Sequence, residues 1–186
     1  MTNRSHSFTI HTQQTAPAGS HPAMARLQQA VGALPNLARA MAESPVLLGA
    51  FADLRALVQS QGTFDAATSE LLSLANAVAN GCRYCTAIHS TFGLAAGLPA
   101  ETVANVRTGG LPTDPSHRAL VEFTRAVLAT RGKVADTDFD AFLAAGFEPA
   151  QALEIIARAA LSVMANYAGR LIAPEPDDAI AAQYAT

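Results

Sequence analysis

The chain has 186 residues, half of them hydrophobic and only 15% charged, which suits one folded domain whose core needs no disulfide scaffold. Its formal charge of −3 and its scattered basic residues provide no electrostatic footprint for a nucleic-acid backbone or an anionic lipid surface. No apolar run approaches the roughly 20 residues that span a bilayer, because Asn76, Asn80, Arg83 and His89 interrupt the most hydrophobic stretch.

Residues 1–22 are rich in Ser, Thr, Gln and His and lack the apolar stretch of a secretory signal, so the expected location is the cytoplasm. Phe8 and Ile10 alternate with polar neighbours before Ala16-Pro17-Ala18-Gly19-Ser20, so residues 1–21 read as an extended arm, of the kind that reaches a neighbouring subunit. Residues 22–186 read as one helical domain. Met24, Leu27, Val31 and Leu34 recur at helical spacing, and Pro35 ends that helix or opens the next.

Ser44-Pro45 starts a helix with Leu47, Leu48, Phe51, Leu54 and Val58 on one stripe, closed by Gly62. A helix from Thr63–Asp65 carries Leu71, Leu72, Leu74, Ala75 and Val78 until Asn80-Gly81 breaks it. The next runs from Cys82 to Ala96, stopped by Gly97 and Pro99. Further helices are expected at Glu101–Arg107, Pro115–Thr130, Thr137–Ala145 and Pro149 to about Arg170. No alternating β-branched run follows residue 12, so the fold class is all-α. The low charge content points to a homo-oligomer.

The chemistry concentrates between Glu70 and His89. Two cysteines in a chain expected in a reducing compartment are catalytic or metal-binding rather than structural. Cys82 and Cys85 on the first turn of a helix lie close enough for a disulfide, and His89 stands one turn beyond Cys85 on the same face. A free thiol titrates near about 8.5, and a helix N-terminus or an imidazolium lowers that value. Glu70 lies on the preceding helix, where a tight corner would let it orient His89 as the base for the thiol. Of the two intervening residues, Arg83 favours the thiolate if it faces it, and Tyr84 is an auxiliary candidate as a hydrogen-bond donor to a peroxide, with packing as its plainer use.

Other readings of the same residues are weaker. Cys82, Cys85 and His89 supply three zinc ligands, leaving Glu70, water or His117 for the fourth, whereas dithiol chemistry needs no metal and no cofactor. His6, His11, His21 and His117 lie in polar surroundings and are expected to face solvent. Pro174 to Asp178 reads as a loop before a short terminal helix rather than an acidic ligand site.

The spacing of Glu70, Cys82, Cys85 and His89, between a Leu/Ala-rich helix and Ala96-Gly97-Leu98-Pro99, closely resembles the AhpD-like alkylhydroperoxidases of the carboxymuconolactone decarboxylase superfamily. The resemblance extends more loosely from Leu34-Pro35-Asn36-Leu37 through Ser44-Pro45 to the helix around Asn166. It implies an all-helical AhpD-like subunit in trimers or hexamers that reduces organic hydroperoxides. It further implies Cys85 as the thiol deprotonated through Glu70 and His89, Cys82 as its disulfide partner, and re-reduction by a dihydrolipoyl or thioredoxin-like protein. This chain departs from the family in carrying Tyr84 where the peroxidases have a second histidine, which removes or replaces part of the proton relay. Decarboxylase members lack the cysteine pair. A decarboxylase-type lyase using His89, and a non-catalytic redox sensor, are the alternatives.

Overall fold

The computed structural model describes residues 8–184, the side chains of residues 182 and 184 excepted. After a 3-10 turn at Ala18–Ser20 come α1 (His21–Val31), α2 (Asn36–Met41), α3 (Pro45–Gln61), α4 (Ala66–Ala79) and α5 (Arg83–Ala95). They are followed by α6 (Ala100–Arg107), α7 (Pro115–Thr130), α8 (Asp136–Ala144) and α9 (Pro149–Ile172). A second 3-10 turn at Asp178–Ile180 leads into α10 (Ala181–Tyr184). No strand occurs among the described residues, in agreement with the all-α reading.

The helix starts follow from side-chain capping of otherwise unpaired N–H groups. Ser44 accepts from the N–H of Leu47 ahead of α3, Asp65 from Thr68 ahead of α4, and Asp114 from His117 ahead of α7. Pro45, Pro115 and Pro149 occupy first-turn positions where the missing N–H costs nothing. The first helix stops at Val31, short of the expected Leu34, because Gly32 takes a left-handed φ of 82° and its N–H returns to the carbonyl of Gln28. Pro35 then precedes the short α2.

The buried α4 is the hub. Leu71, Leu72, Leu74 and Ala75 have no exposed surface, and between them they pack in two directions. Leu71, Leu74 and Ala75 join Leu98, Val103, Val106 and Val121 from the α5–α7 side. Leu72 joins Phe123, Phe142 and Ile155, where the Phe142 ring stacks between Phe123 at 4.3 Å and Phe147 at 4.7 Å. A third cluster joins α1, α2 and the start of α5, and it contains both cysteines and Tyr84.

Residues 8–20 pack against the helical body of the same chain. Phe8 and Ile10 pack against the third cluster. The guanidinium of Arg39 donates to the carbonyl of His11 at 2.9 Å, and the buried hydroxyl of Ser20 donates to that of Ala42 at 2.7 Å. His11 is 7% exposed, with Nε2 3.0 Å from Glu43, so it does not face solvent as its polar neighbours suggest. His21 is half-buried with Nε2 3.1 Å from the carbonyl of Ala16, and His117 is likewise half-buried; His6 lies outside the described residues. Among the described residues no helix is long and apolar enough to cross a membrane.

Candidate active site

The corner between α4 and α5 builds the site. α4 ends in a paired C-terminal motif in which the N–H of Gly81 bonds to the carbonyl of Val78 at 3.0 Å and that of Cys82 to Ala77 at 2.9 Å. Gly81 adopts φ 66°, a left-handed conformation that carries no penalty without a Cβ. The residue that closes α4 is also the one that opens α5. Cys82 is the N-cap, its Sγ accepting from the N–H of Cys85 at 3.2 Å, rather than the first helical residue as the sequence reading had it.

Cys82 and Cys85 are joined as a disulfide, with their Cα atoms 5.3 Å apart. Both are buried, at 1% exposure. α9 crosses directly behind them: a Cβ built on Gly169 would stand 2.7 Å from Sγ of Cys82 and 3.4 Å from Sγ of Cys85. The Sγ of Cys85 also lies 3.8 Å from the carbonyl of Ala165, one turn earlier on the same helix.

The tight corner brings Glu70 to His89, with Oε2 of the carboxylate 2.8 Å from Nδ1 of the ring and each side chain 21% exposed. Glu70 is the fifth residue of α4, past the first turn, where it faces α5 instead of serving the helix dipole. Gly93, one turn beyond His89, lets Leu98 pack closely on α5, since a Cβ there would stand 2.9 Å from the Leu98 side chain. A carboxylate at Nδ1 fixes the ring orientation and leaves Nε2 as the nitrogen free to exchange a proton.

Cys85 and His89 share a cavity of about 80 Å³, lined otherwise by apolar side chains from α1, α2, α3 and α5, by Tyr84 and by Arg55. Cys82 is absent from that lining. Arg55 and Phe92 also border a second cavity of about 380 Å³ that reaches Ser69, Glu70 and Ser73. The reactive pair therefore meets a greasy compartment on one side, and its carboxylate meets a polar one on the other.

Tyr84 has a partner that its sequence position does not announce. Its hydroxyl donates to Asp177 and lies 3.4 Å from the N–H of Leu37, while Asp177 also accepts from the N–H of Asn36 at 3.0 Å. Burial, followed by the bond to Asp177, pushes the phenol far above its ordinary range and keeps it a donor. The Pro174–Asp178 segment is thus a loop as expected, but one of its carboxylates pins both Tyr84 and the start of α2. Sequence reading missed Asp177, Arg55 and Gly169. Only Arg55 carried a local signal, because it falls on the same helical stripe as Leu48, Ala52 and Val58, all buried.

Residues 45–127 match the model of the carboxymuconolactone decarboxylase family. Over that stretch, somewhat under half of the chain, the sequence is similar to this family. Solved structures share the AhpD-like fold over nearly the whole chain. A protein from Ralstonia eutropha JMP134, described as an alkylhydroperoxidase AhpD core and peroxidase-related, is 23% identical with a TM-score of 0.80, covering 92% of each chain. The debrominase Bmp8 is 20% identical with a TM-score of 0.78 over 96% of each chain. A peroxidase-related protein from Silicibacter sp. TM1040 is 17% identical with a TM-score of 0.73 over 90% of each chain. No curated protein matches the chain in sequence. Glu70, Cys82, Cys85 and His89 all fall within the stretch that matches the family model.

Proposed function

We propose that the protein is a thiol-dependent alkyl hydroperoxide reductase that cycles between the Cys82–Cys85 dithiol and its disulfide. The observation that carries this reading is the position of Cys85, half of a disulfide, on the wall of an apolar cavity beside a histidine held by a carboxylate.

In the reduced protein, His89 takes the proton of Cys85 while Glu70 stabilises the resulting imidazolium. The Cys85 thiolate attacks the terminal oxygen of the hydroperoxide, so an S–O bond forms and the O–O bond breaks. The departing alkoxide takes the proton back from His89 and leaves as an alcohol. Cys82 then attacks the sulfenic sulfur, an S–S bond replaces the S–O bond, and the hydroxide leaves as water with the Cys82 proton. The dithiol has lost two electrons and the peroxide has gained them. A dithiol donor, a dihydrolipoyl or thioredoxin-like protein, restores the thiols by exchange in a reducing compartment, which fits a cytoplasmic location.

Tyr84, in the position of the family's second histidine, serves this cycle by holding the cysteine turn to Asp177 rather than by moving protons. We assign the functional form to a trimer or hexamer: Leu153, Ile156, Tyr167 and Leu171 stay exposed along α9, an apolar stripe suited to burial between subunits.

The test is consumption of organic hydroperoxides by the wild-type protein with dihydrolipoamide or a thioredoxin as donor, with 2,3,4-tribromopyrrole, the compound in a solved complex of the debrominase Bmp8, as a rival electrophile. Catalytic loss of peroxide that needs both the donor and the two cysteines supports the proposal. Stoichiometric oxidation without turnover points to a sensor, turnover of the bromopyrrole alone to reductive dehalogenation, and lactone decarboxylation surviving loss of both cysteines to a lyase.

A further inference from the structure

Arg55 is a cation on the wall of a compartment built from hydrocarbon. Its side chain lines the Cys85 and His89 cavity together with Leu27, Met41 and Phe51, and its Nε is shielded from solvent with no hydrogen-bond partner. Burial lowers the guanidinium from its ordinary range, with the Glu70 charge acting in the opposite sense, yet arginine still keeps its proton. A buried donor without an acceptor is uncommon in folded proteins, and an acceptor that joins the guanidinium on binding is one of the arrangements that account for it. Nε of Arg55 makes no hydrogen bond to Glu70, whose Oε2 pairs with Nδ1 of His89.

We propose that Arg55 is the substrate-anchoring residue of this cavity, taking the carboxylate of a compact aliphatic hydroperoxy acid while its alkyl body fills the apolar space. This rests on the reading of the cavity as the substrate site. The planar guanidinium presents paired N–H groups that match the two oxygens of a carboxylate, and such charge-assisted bonds gain strength where water is excluded. The cavity is small, about 80 Å³, and suits a compact ligand. With the acid end on Arg55, the reacting oxygen stays within the compartment that Cys85 borders.

Hexanoate and hexanamide are the probes, equal in heavy-atom count and different in charge, titrated calorimetrically into the disulfide form of the whole protein. Wild type should bind hexanoate at least about tenfold more tightly than hexanamide, Arg55→Met should abolish that preference, and Arg55→Lys should keep part of it. Equal binding of the two probes by wild type, or a preference that survives in Arg55→Met, overturns the proposal. In turnover, Arg55→Met should raise KM for a hydroperoxide bearing a carboxylate at least about tenfold more than it raises the KM for tert-butyl hydroperoxide. A matching fall in kcat for both substrates would instead place Arg55 in support of Glu70 and overturn the anchoring role. If wild type shows the hexanoate preference without peroxide turnover, the peroxidase reading fails and the anchoring site stands.

Discussion

The Nδ1 of His89 sits 2.8 Å from Oε2 of Glu70, a contact between residues on consecutive helices that the α4–α5 corner alone makes possible. Removing the carboxylate charge while keeping its shape isolates what this contact contributes. Glu70→Gln should slow oxidation of the reduced protein by a hydroperoxide about 10²-fold, the usual scale of a lost acid–base component. Stopped-flow traces of thiol loss measure it directly; an unchanged rate would mean that His89 works without its carboxylate.

Gly169 should tolerate no side chain. Its Cβ would stand 2.7 Å from Sγ of Cys82, and both partners lie in packed interior where neither can retreat. Gly169→Ala should destabilise the disulfide form by about 1–3 kcal/mol through overpacking. Denaturant unfolding of the variant and wild type, oxidised and reduced, reads the penalty. A variant as stable as wild type in the oxidised state would show that α9 moves freely away from the sulfurs.

The hydroxyl of Tyr84 ties the cysteine turn to Asp177, which in turn holds the start of α2. Tyr84→Phe leaves the Asp177 carboxylate with fewer donors and should cost about 1–3 kcal/mol. Hydrogen exchange at Asn36 and Leu37 should quicken, while the single-turnover rate of Cys85 should change little. A large fall in that rate with unchanged exchange would assign Tyr84 to the chemistry.

Glu154 offers a prediction on acid stability. Burial pushes its carboxyl up, but the N–H of Thr63, the guanidinium of Arg158 and the hydroxyl of Thr63 together outweigh burial and hold it below its ordinary value. A carboxylate with a depressed folded pKa contributes stability above the unfolded value of about 4.3, and that contribution is lost as pH falls through the folded value. Glu154→Gln should therefore lower stability at neutral pH and flatten its decline at acid pH. Urea midpoints across that range supply the check, and parallel curves for the two proteins would contradict it.

The fold was legible because its signals are local. Ser44-Pro45, Asp65, Asn80-Gly81 and Gly97 each act within a few residues, and the structure puts helix ends within a few positions of them. The pairing of Glu70 with His89 could be expected for the same reason, since one short corner joins their helices. What stayed hidden depends on contacts remote in the chain. Asp177 meets Asn36 and Tyr84 across 141 and 93 residues of chain, and nothing near Asp177 sets it apart from a solvated loop acid. His11 sits among polar residues yet is buried by α2 and Glu43, a case where tertiary packing overrides neighbourhood. Arg55 was concealed differently, as a charge on an apolar stripe whose significance depends on the cavity that the stripe borders.

The decisive measurement is single-turnover oxidation of the fully reduced protein by a stoichiometric hydroperoxide, comparing wild type, Cys85→Ser and Cys82→Ser. Wild type should form the disulfide, Cys82→Ser should stop at a sulfenic acid that dimedone traps on Cys85, and Cys85→Ser should be inert on that timescale. Oxidation of Cys85→Ser at the wild-type rate, with the label on Cys82, would contradict the assignment of Cys85 as the attacking thiol.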